Sequence, residues 1–330
     1  MSCSSWARAT SAGWPTNSWP ATEGALGLDA QLAAELEASL PGRVALGESL
    51  ADWTSLRVGG PADALVRIDT RAELERVAAW CRARALPLFV LGGGFNLLVR
   101  EGGVRGVVVR LAGLRDVRLD ADGRVRAEAG ASHSAVTRFA ADQGRAGLEF
   151  AVGIPGTVGG WIAMNAGTRE REMKDVVTSV ELFDPAQGRV VTRARAELRF
   201  HYRRTELPSG GVVLAAAFAT SGDQPDAVRE RHKRHLAQRR ATQPVDQPSC
   251  GSVFVNPPGD FAGRLIEAAG LKGTRIGGAL ISPLHANFIV NAGGARTADV
   301  LALIELARAA VRERSHVELQ TEVHVVGEDA

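Results

Sequence analysis

Apolar positions recur along this chain at two periods, and the changes between them mark out its elements. Ala64-Leu65-Val66-Arg67-Ile68 is a short apolar run that predicts a strand. Thr70 follows it, with Glu73 three residues on, the pairing that caps a helix reciprocally. Leu74, Val77, Ala78 and Cys81 then recur at helical spacing and predict one buried face. Pro87 closes that helix, and Leu88 to Leu91 reads as a second strand. The result is a β-α-β unit with a triple glycine after its second strand. Val104 to Leu111 reads as a third strand.

From Val117 to about Thr220 strands and short helices alternate. Val125–Ala129 and Val212–Ala217 predict strands, and Ser134–Gln143 a helix. A break is expected at Ser221-Gly222-Asp223-Gln224-Pro225. A basic helix follows it, then a strand-like segment at Ser252, a helix from Phe261 to Ala269 and a strand at Ile289–Asn291. A long helix from Thr297 to Arg314 and a terminal strand from Val317 to Val326 complete the chain. Near the N-terminus, residues 27–40 read as a short Ala/Leu-rich helix stopping before Pro41-Gly42. No repeat of fixed period is present.

Composition narrows the class. At 330 residues, 45% hydrophobic and 23% charged, the chain is ordinary globular material with room for two or three domains. A net charge of +2 gives no general case for nucleic acid or an acidic membrane surface. Only Arg229 to Arg240 is locally basic. Cys3, Cys81 and Cys250 form neither a disulfide framework nor a metal pair, which favours a reducing compartment. No apolar run approaches the roughly 18 residues of a membrane span, and no signal-type apolar core opens the chain. A cytoplasmic protein without membrane insertion is expected. The stretch up to about Ala25, with Trp6, Trp14 and Trp19, reads as a loose tail.

Two glycine-built loops carry the candidate chemistry. Gly92-Gly93-Gly94-Phe95-Asn96 lies after a second strand, so the Rossmann fingerprint, which opens on a first strand, does not apply. Gly153-Ile154-Pro155-Gly156-Thr157-Val158-Gly159-Gly160 leads on to Asn165-Ala166-Gly167. No Gly-Lys-Ser/Thr is present, which excludes a P-loop. Bare backbone in both loops suits a dinucleotide pyrophosphate, which needs close approach and many N–H donors. Other residues keep two readings. Tyr202-Arg203-Arg204 is either a surface Arg pair beside a half-buried Tyr or a charge that stabilises an anion. Ser252 has no nucleophile elbow around it. Glu322 alternates with apolar residues, as on the solvent face of a strand. His285 is either a ligand contact or a hydrogen-bonded core histidine. No histidine spacing matches a metal site, so no metal is expected.

These segments resemble the UDP-N-acetylenolpyruvoylglucosamine reductase family, in its shorter type, from about Thr54 to Gly327. The resemblance rests on Ser55-Leu56-Arg57-Val58-Gly59-Gly60-Pro61-Ala62, the two glycine loops, His201-Tyr202-Arg203-Arg204-Thr205, Gly251-Ser252-Val253-Phe254-Val255-Asn256-Pro257, the stretch His285 to Gly294, and Thr321-Glu322-Val323, in family order. It implies an α+β chain with an FAD-binding fold of the vanillyl-alcohol-oxidase (PCMH) type: two α/β subdomains and a C-terminal α/β substrate-binding domain. The corresponding divisions are 1–44 (tail and short helix), 45–111 and 112–220 (FAD-binding), and 221–330, whose last strand returns to the active site.

The resemblance further implies non-covalent FAD on Gly92, Gly93, Gly94, Phe95, Asn96, Gly153, Ile154, Pro155, Gly156, Thr157, Gly159, Gly160 and Asn165. NADPH is the implied co-substrate, and UDP-N-acetylglucosamine enolpyruvate the substrate, in bacterial peptidoglycan synthesis. Arg203, Ser252 and Glu322 are the implied catalytic residues; Tyr202, Arg240, Asn256, Lys272, His285 and Asn287 are the implied substrate contacts; a monomer is expected. The chain departs from the family pattern at Phe95, Thr168-Arg169-Glu170, Val255, Gln320-Thr321 and His324, while the catalytic trio is intact. An FAD oxidase of the same fold, or a non-catalytic flavin-fold module, would be the alternatives.

Overall fold

The computed structural model describes residues 27–185 and 187–330. The predicted tail and its three tryptophans lie outside the described residues.

The first sheet runs in the order Val44–Ser49, Pro61–Arg67, Val104–Arg110, Leu88–Val90. Its last three strands are parallel, and Val44–Ser49 is an antiparallel edge. The third predicted strand therefore threads between the two strands of the β-α-β unit. Helix Arg71–Ala83 makes the crossover and starts as expected: Thr70 Oγ1 accepts from the Glu73 N–H, and Glu73 Oε2 accepts from the Thr70 N–H at 3.1 Å. Leu74, Val77, Ala78 and Cys81 are its buried face. The predicted helix at 27–40 is Ala30–Ser39, entered through an Asp29 cap.

The second sheet is antiparallel, in the order Arg189–Ala194, Val177–Asp184, Val212–Phe218, Val125–Glu128, Val117–Leu119. All seven residues of Val212–Phe218 are buried, because both faces of that strand are covered. One apolar core joins the two sheets, running from Leu74 and Val109 to Val180 and Leu214. The seam between the sheets is where the glycine loops lie.

Where a break was expected, Ser221–Gly222 instead pairs antiparallel with Arg145–Ala146. Helix Pro225–Thr242 stays on the second unit through Arg229–Asp142 and Arg231–Glu149. The chain then enters a third sheet, Ser249–Ser252, Phe288–Asn291, Ala279–Ile281, Arg275–Ile276. Helices Ala262–Ala268 and Thr297–Ser315 pack on it. Its core takes in Leu56, Val58 and Leu98 from the N-terminal part of the chain, which fastens the C-terminal unit to the first sheet.

The predicted terminal strand is much shorter than Val317–Val326. Only His324–Val326 is strand, and it pairs in parallel with Leu97–Val99, immediately after the first glycine loop. The residues before it pair irregularly with the Ser252 segment instead, through a bridge between Phe254 and Thr321. A regular ladder would have put Glu322 on a solvent face; this irregular pairing buries it.

Candidate functional site

The first loop is tight by construction. Gly94 has φ +67°, and a Cβ there would run into the Trp53 carbonyl. Asn96 also takes a positive φ, 58°, without being glycine. The second loop faces the first. A Cβ on Gly93 would come within 3.3 Å of Gly156 Cα, and one on Gly92 within 3.0 Å of Thr157 Oγ1. Gly156 has φ +122° with open space on its Cβ side. Gly153 (φ +75°) packs against the Arg239 side chain, Ile154 is buried, and Pro155 lies between it and Gly156. Thr157 caps the short helix Val158–Ala163, which contains Gly159 and Gly160.

Gly92, Thr157, Gly159 and Gly160 line a cavity of about 100 Å³ at the seam of the two sheets. Side chains at these glycines would fill it. An elongated phosphate-bearing cofactor fits such a cradle, because backbone donors can close on its oxygens. Phe95, at 40% exposure, presents its ring edge to Gly93 and offers no hydroxyl.

Asn96 joins this loop to the C-terminal segment. Its Nδ2 donates to the Glu322 carbonyl at 3.1 Å, and its own carbonyl accepts from the His324 N–H at 3.1 Å. Glu322 is thereby fixed beside the glycine loop. Arg203 reaches it from the other side: Nε donates to Glu322 Oε1 at 3.1 Å, Nη1 to Glu172 Oε1 at 3.4 Å, and Nη2 to the Gly167 carbonyl at 3.2 Å. Arg203 has φ +58°, an unusual backbone state for an arginine, which aims the guanidinium into this pocket. Only 16% of the Arg203 side chain and 13% of the Glu322 side chain meet solvent. Burial pushes the Glu322 carboxyl up to about 7, and Arg203 only partly opposes it.

Ser252 ends the strand Ser249–Ser252, opposite Phe288. The next residue, Val253, accepts from the Glu322 N–H at 2.7 Å through its carbonyl, so Ser252 and Glu322 lie on paired backbone.

Asn165 and Asn287 have structural jobs. Fully buried Asn165 donates to Glu172 Oε2 at 3.0 Å and to the His201 carbonyl at 2.9 Å, and accepts from the Lys174 N–H at 2.9 Å. It holds Glu172 against Arg203. Asn287 accepts from the Phe254 N–H at 2.9 Å and donates to the Phe254 carbonyl at 2.8 Å, clamping the segment after Ser252.

Tyr202, partly exposed, hydrogen-bonds Asn256, and its ring lies 4.6 Å under the Arg203 guanidinium carbon. Asn256 Oδ1 also accepts from the Ala262 N–H at 3.0 Å, at the start of a helix. His285 Nδ1 accepts from the Asn287 N–H at 3.2 Å, and its ring meets Phe288 edge-on. Lys272 pairs with Glu267 at 2.8 Å, and Arg240 is exposed on its helix. Arg203, Glu322, Tyr202 and Asn256 thus converge, with Ser252 one residue from the backbone that Glu322 bonds. Glu172, 31 residues before Arg203 in sequence, is the partner that motif reading missed. Nothing in its spacing marks it.

Known proteins resemble this chain along most of its length. The FAD binding domain family matches residues 62–193, and the C-terminal domain family of UDP-N-acetylenolpyruvoylglucosamine reductase matches residues 243–326. The UDP-N-acetylenolpyruvoylglucosamine reductase of Anaeromyxobacter sp. (strain Fw109-5) is 48% identical, over 91% of this chain and 94% of its own length. That of Moorella thermoacetica is 44% identical, over 90% and 98%. The solved structure of the Thermus caldophilus enzyme covers 86% of this chain and 98% of its own, at 40% identity and a TM-score of 0.74. Similarity at that level along nearly the whole length shows that this chain belongs to the UDP-N-acetylenolpyruvoylglucosamine reductase family, with the FAD-binding fold that family carries.

Proposed function

We propose that this flavin-dependent reductase converts UDP-N-acetylglucosamine enolpyruvate to UDP-N-acetylmuramate with NADPH, and that Arg203, Ser252 and Glu322 carry the reaction. The observation that supports these roles best is the buried Arg203–Glu322 pair, whose carboxyl is held up at about 7 beside the first glycine loop. FAD, when bound, would supply the hydride chemistry between NADPH and C3 of the enolpyruvyl group. Glycine-loop N–H groups from Gly92 to Asn96 and from Gly153 to Gly160 would hold the cofactor.

The remaining work is charge and proton management. As hydride arrives at C3, negative charge builds on the substrate carboxylate, giving an aci-carboxylate. Arg203 and protonated Glu322 act as donors to its oxygens, and their low exposure strengthens that interaction. A carboxyl titrating near 7 carries its proton in a large fraction of molecules at neutral pH. The Ser252 hydroxyl then gives its proton to C2; a carbanionic centre is basic enough to take it. Glu172 and Asn165 position Arg203.

Residues 221–330 form the substrate-binding unit in this reading, over FAD-binding subdomains at 45–111 and 112–220. Tyr202, Arg240, Asn256, Lys272 and His285 are polar groups available to the UDP-sugar. A cytoplasmic monomer accords with the substrates; no helix among the described residues is long and apolar enough to cross a membrane.

The test is anaerobic. UDP-N-acetylglucosamine enolpyruvate should reoxidise the flavin of the NADPH-treated protein without oxygen. Flavin that only oxygen reoxidises would favour an oxidase.

A further inference from the structure

The seam cavity is lined by fourteen residues, of which Arg110 alone is charged. Arg110 ends the strand Val104–Arg110, at the centre of the first sheet. Its guanidinium carbon lies 4.2 Å from the centre of the Trp53 ring, and its Nε is buried with no hydrogen-bond partner. Among the described residues it makes no ion pair. Burial lowers its pKa, as expected of a cation with nothing to neutralise it.

The support beneath it is rigid. Trp53 Nε1 donates to Glu48 Oε1 at 3.1 Å, and the Trp53 carbonyl abuts Gly94 so closely that no side chain fits between them. The same tryptophan thus lies under the guanidinium and borders the first glycine loop. A half-buried, unpaired arginine costs stability in the protein alone. That cost is offset when an anion completes the site, and a guanidinium presents N–H donors in a fork that matches phosphate oxygens.

We infer that Arg110, its guanidinium over the Trp53 ring, is the counter-charge for the pyrophosphate of FAD, as the one charged side chain among the residues that line the seam cavity. This rests on the reading of the seam as the FAD site. It gives that site a charge requirement that the glycine loops alone do not impose.

The test compares wild type with Arg110→Met, which keeps a stem over Trp53 and loses the charge, and Arg110→Lys, which keeps the charge. Flavin is removed, and FAD binding is followed by fluorescence quenching at low and high NaCl, with the melting temperature of each flavin-free protein as the folding control. Arg110→Met should weaken FAD binding by roughly 10- to 100-fold at low salt, the range for loss of a charge-assisted hydrogen bond. The deficit should shrink at high salt, where screening weakens the wild-type pair. Arg110→Lys should keep most of the affinity, and the flavin-free Arg110→Met protein should melt no lower than wild type. FAD binding by Arg110→Met equal to wild type overturns the inference. So does an equal, salt-independent loss in both variants, which would mark a packing or adenine-stacking role. Wild type that fails to bind FAD would instead refute the reading of the seam.

Discussion

Arg203 donates to Glu322 across 119 residues of sequence, yet the carboxyl it meets is held up at about 7 and not pulled down. Burial outweighs the ion pair. Arg203 is also shared with Glu172, itself bonded by Asn165 and paired with Lys174, so its charge is not spent on Glu322 alone. The geometry leaves a carboxyl that can act as a donor near neutral pH.

A stability effect follows, with a definite sign. An acid raised on folding from its ordinary 4.5 to about 7 contributes fully below the lower value and loses that contribution as pH climbs through the higher one. The loss is about 3 kcal/mol at most. Glu322→Gln cannot ionise, so it should gain on wild type between pH 5 and pH 8. Melting temperatures of both proteins across that range check this. A difference that does not change with pH would mean that the carboxyl titrates at its ordinary value.

The same carboxyl should shape the rate. Reoxidation of the flavin by the enolpyruvyl substrate should fall as pH rises above about 7, and Glu322→Gln should flatten that part of the profile. NADPH reduction of the flavin should show no such dependence on Glu322. Single-turnover absorbance over a pH series resolves the two.

Gly93→Val tests the cradle. Its Cβ would already sit 2.9 Å from the Phe95 ring edge and 3.3 Å from Gly156 Cα, so a branched side chain wedges the two loops apart. The variant should fold, because the nearest group is a partly exposed ring, and should purify with little flavin. Flavin absorbance per protein measures this, with circular dichroism as the folding control. Full flavin content would place the cofactor away from this loop.

Asn287→Ala distinguishes a clamp from a substrate contact. Both ends of the amide bond the Phe254 backbone, so the substitution leaves a buried N–H and C=O unsatisfied and should cost about 1–3 kcal/mol. Urea unfolding reads that loss. An unchanged midpoint with a raised KM for the UDP substrate would restore the direct-contact role.

What could be read from the sequence was local chemistry. The Thr70–Glu73 box and the face Leu74, Val77, Ala78, Cys81 declare themselves within a few residues, and the structure has both. The glycine loops were legible because bare backbone has few other uses at that density. The placement of Glu322 was not. Its burial depends on His324–Val326 pairing with Leu97–Val99, and no pattern near residue 322 encodes that register. The apolar alternation there predicted a full strand with a wet face, whereas the chain breaks the ladder to reach the Ser252 segment. Asn165 and Asn287 are polar residues beside functional motifs, and only their three-dimensional partners reveal that they brace the site.

The central claim is that this chain separates hydride delivery from proton delivery and assigns the proton to Ser252. Stopped-flow absorbance of the flavin in Ser252→Ala tests it most directly. Reduction by NADPH should proceed near the wild-type rate, and reoxidation by UDP-N-acetylglucosamine enolpyruvate should slow by roughly 100- to 10,000-fold, the worth of a general acid. Reoxidation within about threefold of wild type, far below that range, would contradict the account and move the proton to another donor.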